Sequence, residues 1–235
     1  MNIRDMQRNF MIKLRQFVEE PEVESDDIEY YLNRAQDEYV KEQHFVIRDS
    51  YRNQQLGNID IQKAVENLRT LVNTEIYEEL DLTTGVNIEN SLIADVSELN
   101  PEYSYYLRSR FKSDGTALNC KVIDPIMLSK YTVTKYNKPL YREPAVLLEG
   151  NDITIIYPTD TNIDNPILEL HYITHPVSMS ISENQNCTLP IHTHNEIVDR
   201  AVEFKINDLQ RSRSLGIDKG AAVQQPQQPQ QQRSE

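Results

Sequence analysis

The sequence predicts an α+β protein: a helical bundle made from both ends of the chain, a β-rich insertion between them, and an extended C-terminal tail. Three observations predict this. Apolar residues recur at three- and four-residue spacing through the first third of the chain and again after residue 188. From about Asn73 the runs become short, rich in β-branched and aromatic residues, and separated by turn residues. Beyond Gly216 core-forming side chains nearly vanish. The expected divisions are therefore 1–72 helical, 73–187 β-rich, 188–215 a closing helix, and 216–235 a tail.

In the first part, Ile3, Met6, Phe10, Leu14 and Phe17 fall on one helical face, and Pro21 ends that segment. Asp26 and Glu29 have the spacing of a capping box, in which two orphan amides are satisfied reciprocally. Behind them Ile28, Tyr31, Leu32, Ala35, Tyr39 and Val46 form a second stripe, so one long helix is expected from about Asp27 to Arg52. Gly57-Asn58 breaks it. A shorter helix from Asp60 to about Val72 would present Ile61, Val65, Leu68 and Leu71.

In the middle part, VLLEGNDITIIYP (Val146–Pro158) reads as a hairpin connected through Gly150 and its neighbours. Leu168, Leu170 and Tyr172 alternate with Glu169, His171 and Ile173, which marks a strand with one face more buried than the other. Asp124-Pro125 has the form of an N-cap followed by proline at the first helical position. The β-rich block is expected to end near Cys187.

The stretch HTHNEIVDRAVEFKIND returns the chain to helix. Thr193 and Glu196 again have capping-box spacing. Val198, Ala201, Val202, Ile206 and Leu209 share a broad apolar face that Ile197 and Phe204 widen, which suits a helix packed on more than one side. After it, AAVQQPQQPQQQRSE cannot fold by itself. At ~3.1 Å per residue, this stretch, 221–235, would reach ~45 Å. Gln224, Gln225, Pro226, Gln227, Gln228 and Pro229 are candidate contacts with a neighbouring chain, the tail acting as a strap across a subunit boundary.

Composition narrows the function. With 235 residues the chain is long enough to bury a substantial core. No apolar run approaches the ~20 residues of a membrane span, and the charged N-terminus is unlike a secretory signal. Cys120 and Cys187 are the only cysteines, too few for a disulfide framework, so a reducing cytoplasm is expected for its synthesis. The 24 Lys and Arg against 37 Asp and Glu leave a net charge of −13, which argues against a protein that grips nucleic acid. It suits one that nucleic acid slides past, because an acidic wall repels phosphates.

Candidate chemistry is sparse. His192, His194 and Glu196 alternate as strand-borne metal ligands would, with Cys187 nearby. The helix start expected at Thr193 breaks that alternation where the third ligand is needed. His171 and His175 are four apart, but on a strand that places them ~13 Å from each other. Neither cysteine has a helix-start or basic setting that would activate it, and no nucleophile or phosphate-loop motif is present. The reading is no catalysis, no cofactor and no metal. The 13 tyrosines are more informative, since tyrosine buries area while keeping a polar tip, as protein interfaces require. Tyr103, Tyr105 and Tyr106, followed by Arg108 and Arg110, are the candidate interface cluster; an ordinary strand with one tyrosine face inward explains them equally well.

The order of these segments resembles the head-to-tail connector proteins of short-tailed bacteriophages, the adaptor or ring proteins below the portal, and is most like the tail ring proteins of crAss-like phages. DDIEYYLNRAQDEYVKEQHF (Asp26–Phe45) is similar to their long N-terminal helix and NPEYSYYLRSRF (Asn100–Phe111) to an aromatic, Arg-ended strand. EPAVLLEGNDITIIYP (Glu143–Pro158) and ILELHYITHPVSM (Ile167–Met179) resemble their β-segments, and CTLPIHTHNEIVDRAVEFKINDLQRSR (Cys187–Arg213) their closing helix. The tail has no counterpart in that pattern. The resemblance implies a virion structural protein of the phage neck or tail, a dodecameric ring in which each copy binds itself and portal or neighbouring tail proteins. DNA and ejected proteins would pass through the channel without sequence-specific binding, and no membrane is involved. A soluble metal-dependent enzyme using His192 and His194, or a non-virion assembly chaperone, are the alternatives.

Overall fold

The computed structural model describes residues 1–19, 21–52, 59–78, 83–84, 91–97, 99, 101–113, 116–128, 144–157 and 165–214. Its architecture is α+β, with helices from both ends of the chain packed together and two sheets formed by the segment between.

Helix α1 (Ile3–Leu14) starts at Asn2, whose side chain accepts from the Asp5 amide at 2.8 Å while the Asp5 carboxylate accepts from the Asn2 amide. This is a true capping box, and it buries Ile3, Met6, Phe10 and Leu14. The helix stops at Leu14, so Phe17 leaves the stripe and stands 67% exposed. Helix α2 (Ser25–Arg52) buries Ile28, Tyr31, Leu32, Ala35, Tyr39, Val40 and Ile47 on one face, with Val46 half-buried. The capping box expected from Asp26 and Glu29 does not form. The helix begins earlier, Asp26 lies within its first turn, and the Glu29 carboxylate reaches across to accept from the amides of Ile181 and Ser182. Helix α3 (Ile59–Leu68) ends short of the expected Val72; Ala64 faces inward with Ile61 and Leu68, and Val65 faces outward.

Among the described residues nine strands follow: β1 (Val72–Tyr77), β2 (Thr83–Thr84), β3 (Ser91–Asp95), β4 (Tyr103–Ser113), β5 (Thr116–Asn119), β6 (Lys121–Val122), β7 (Ala145–Glu149), β8 (Asp152–Ile156) and β9 (Ile167–Thr174). The first sheet has the order β1-β9-β4-β5 and the second β2-β3-β8-β7-β6. All pairings are antiparallel except β6 with β7. The expected hairpin is β7–β8: Glu149 pairs with Asp152, and Gly150 takes φ 59°, which a side chain would resist. Asp124 caps a short 3₁₀ turn at Pro125–Met127 by accepting from the Ile126 amide.

Helix α4 (His194–Ser214) closes the fold. It runs against α2 and α1 and buries Ile197, Val198, Ala201 and Val202. Arg200 ties it to α2, reaching Glu42 at 2.6 Å while lying over the Tyr39 ring. No described helix is long and apolar enough to cross a membrane.

The layers follow from alternation along the strands. Leu168, Leu170 and Tyr172 of β9, with Phe111 of β4, meet Val146, Ile153 and Ile155 of the second sheet in one core. Each such side chain contributes roughly 1.5–3 kcal/mol on burial. Ile173 faces the other way, into the helical core. Ala145, Leu147 and Ile156 turn to the far side of the second sheet and form a small third cluster with Ile123. The segment after β9 belongs energetically to the helices: Met179, Cys187 and Leu189 are buried among them.

Candidate functional site

Among the described residues of the β-part, exposed and half-exposed charged side chains gather on β4 and its neighbour β9. β4 is irregular, with register shifts between Tyr103 and Tyr105 and between Tyr106 and Arg108. An extra residue in a strand reverses the alternation that follows it. Leu107 is the bulged residue, and it packs on the helical core as Tyr105 does. Past the bulge Arg108, Arg110 and Lys112 share that face, opposite His171, Glu169 and Ile167 of β9. Ser109 and Phe111 are buried on the other.

The tyrosines of this stretch are half-buried and pack against the chain's own cores. Tyr103 packs on the second core with its ring 5.8 Å from that of Tyr172, and burial pushes its phenol up to about 12. Tyr106 lies in the same core and shares a hydrogen bond with Ser109 at 2.9 Å. Tyr105 stacks on His44 of α2 with ring centroids 4.6 Å apart. Arg108 is exposed, and Arg110 is half-buried, as are the three tyrosines.

Across β1, β9 and β4 runs a polar ladder. The Thr74 hydroxyl meets His171 Nδ1 at 2.9 Å, His171 Nε2 meets Glu169 Oε1 at 3.0 Å, and Lys112 Nζ lies 2.8 Å from Glu169 Oε2. A carboxylate accepts only, so Nε2 carries the proton and Nδ1 accepts from the threonine. This is the hydrogen-bond polarity of a hydroxyl, base and acid relay. Its electrostatics favour a different role. The hydrogen-bonded Lys112 ammonium holds Glu169 below the usual carboxylate range. Burial, and then Arg108, push His171 below its ordinary value, so it is a poorer base than a free imidazole. The ladder is a positioning device: one carboxylate fixes the Lys112 ammonium and the His171 ring beside Arg108 and Arg110.

The histidines after Leu189 do not converge. His192, in a short 3₁₀ turn at Ile191–Thr193, bonds Asn67 Oδ1 of α3 at 2.8 Å. His194 is buried, with Nδ1 3.1 Å from the Met1 carbonyl oxygen and Nε2 2.9 Å from that of Leu189. Burial holds its pKa below the usual histidine value despite those carbonyls. The expected capping box here is also absent: the Thr193 hydroxyl donates back to the Pro190 carbonyl at 2.8 Å, and Glu196 pairs with Arg200 at 3.0 Å. Cys187 donates from Sγ to Gln36 Oε1 at 3.1 Å, and burial pushes its thiol up to about 11. His175 bonds the neighbouring Pro176 carbonyl, away from the His171 ladder. Among the described residues no group of three or more His, Cys, Asp or Glu is placed to hold a metal ion.

Gln224, Gln225, Pro226, Gln227, Gln228 and Pro229 lie outside the described residues, as does the Gly57-Asn58 break. Sequence reading missed Lys112, Glu169, Thr74 and His44. An Arg-x-Arg-x-Lys alternation in a strand was the available signal for the cationic face, but only the bulge shows which side it occupies. No protein-family model matches this sequence, and no curated protein sequence matches it.

Proposed function

We propose that this protein is a virion structural subunit that closes into a homo-oligomeric ring, dodecameric by the resemblance to phage connector and tail ring proteins, joining portal and tail components around a channel for DNA and ejected proteins. The observation that carries this reading is where the chemistry-bearing side chains are placed. His194 bridges the N-terminus and the segment before α4, Cys187 is bonded to Gln36, and the tyrosines of β4 are packed in the chain's own cores. Such side chains serve to hold a body rigid. A rigid α+β body with charged faces left outward suits repeated packing of identical subunits.

The segment order supports the same reading: a long N-terminal helix, a β-rich middle and a closing helix that returns to the first. The test is a symmetric cryo-electron microscopy reconstruction of the neck and tail of the particle. A closed ring whose density fits α1, α2, α4 and the two sheets is the expected result. A neck and tail without such density would remove the structural role.

A further inference from the structure

Two charged regions of the chain are held apart by helix α2. At one end is the β4 face, where Arg108, Arg110 and Lys112 follow each other at alternate positions, ~6.6 Å apart along the strand. Among the described residues no ion pair joins Arg108 or Arg110 to a carboxylate; Glu169, across from Arg110, is engaged by Lys112, and Glu78 follows Ile76 at the end of β1 on the same side of the sheet. Beside it Ile76 of the edge strand β1 is 54% exposed. At the other end is the shoulder between α1 and α2. Between Arg15 and Arg34 the sequence has no Lys or Arg, and Glu19, Glu22, Glu24 and Asp26 are exposed there. Phe17 and Tyr30, 67% and 59% exposed, flank these acids.

The separation is set by α2. His44, where the helix meets β4 through Tyr105, is about 27 Å along the helix from Asp26. That is several Debye lengths at physiological salt, so the acids and the arginines of one subunit scarcely feel each other. Exposed Ile76 lies beside a face where cations predominate, and exposed Phe17 and Tyr30 lie beside one where acids predominate, with Lys205 held on Asp27 at its edge.

We propose that the cationic face of the first sheet docks the acidic, aromatic shoulder between α1 and α2 of a second copy of this chain. The inference rests on the ring reading and names its contact. Two different patches meeting make a heterologous interface, which repeats from copy to copy and closes into a ring when the rotation allows. Opposite potentials steer the encounter and fix the register, while Phe17, Tyr30 and Ile76 supply apolar area at the contact.

The experiment is sedimentation velocity of the full chain at low and high salt, for the wild type, for Arg108→Glu/Arg110→Glu, for Glu22→Lys/Glu24→Lys/Asp26→Lys, and for the two variants mixed. Circular dichroism checks that each variant folds. The expected result is salt-sensitive self-association of the wild type, weakened about tenfold or more in each variant and restored in the mixture, where reversed charges meet again. A folding defect would not be rescued by mixing. Wild-type assembly unchanged by either set of reversals would overturn this contact and leave a ring built through another surface. A wild type that stays monomeric at low salt would overturn the contact as well, and the reconstruction of the neck decides the ring itself. Loss of binding to a short DNA duplex in Arg108→Glu/Arg110→Glu, with self-association unchanged, would assign the face to phosphates and overturn the proposal.

Discussion

Tyr172 and Ile173, neighbours on β9, belong to different cores. Tyr172 is fully buried between the two sheets, its hydroxyl accepting from Asn73 Nδ2 at 3.1 Å and donating to the Pro101 carbonyl at 3.2 Å. Ile173 is fully buried among the helices. This pair joins the helical bundle to the β-part, because consecutive side chains of a strand point to opposite faces.

Truncating either side chain therefore damages a different layer. Ile173→Ala is expected to lower stability by about 2–4 kcal/mol through the cavity it leaves in the helical core. Tyr172→Phe removes only the hydroxyl and is expected to cost about 1 kcal/mol, with Asn73 and the Pro101 carbonyl losing a partner. Chemical denaturation of both variants measures this; a Tyr172→Phe cost equal to that of Ile173→Ala would contradict the assignment.

Glu29 fastens the segment after β9 to α2 through the amides of Ile181 and Ser182. Asn33 does the same one turn later, donating to the Met179 carbonyl at 2.9 Å and accepting from its amide at 2.7 Å. Glu29→Ala is expected to cost about 1–2 kcal/mol and to expose residues 177–187 to limited proteolysis. Cleavage mapped elsewhere would refute the local role.

Burial holds His44, His171 and His194 below the ordinary histidine value. The unfolded chain then binds protons near ~6.5 that the folded chain refuses. Stability contributed by keeping these rings neutral is complete above that value and is lost as the pH falls through it, until the folded histidines titrate in turn. A melting temperature that declines from about pH 7.5 to about pH 5.5, with a shallower slope in His194→Gln, is the expected outcome. An identical slope in the variant would exclude His194 as a contributor.

Burial raises the thiols of Cys120 and Cys187 to about 11 each. Since the thiolate is the reactive form, both are expected to resist Ellman's reagent in the folded protein near neutral pH and to react fully once denatured. Rapid reaction of either in the native state would show that its surroundings open.

Much of the fold was legible in the sequence. The apolar stripe Ile28, Tyr31, Leu32, Ala35, Tyr39 and the alternation at Leu168, Leu170, Tyr172 are local patterns, and both are buried as the periodicity requires. Gly150 marked its hairpin and Asp124 its cap for equally local reasons. The misreadings share one cause. Asp26–Glu29 and Thr193–Glu196 have capping-box spacing, yet Glu29 and Glu196 were drawn to partners distant in the chain or along the helix, the Ile181 amide and Arg200. The true capping box, Asn2 with Asp5, passed unnoticed beside the apolar stripe it starts.

By itself the sequence determined the α+β class, the order of its elements, the faces of its longest helix and central strand, and the excess of acid that any partner must meet. These follow from periodicity and composition, which do not depend on distant residues. Only the tertiary structure decided that β9 pairs with both β1 and β4, that the bulge after Tyr106 turns Arg108, Arg110 and Lys112 onto one face, and that His194 closes on the N-terminus. Each of these depends on groups far apart in the chain being brought within hydrogen-bonding distance, and the desolvation of the whole core, rather than any local preference, selects which of them meet.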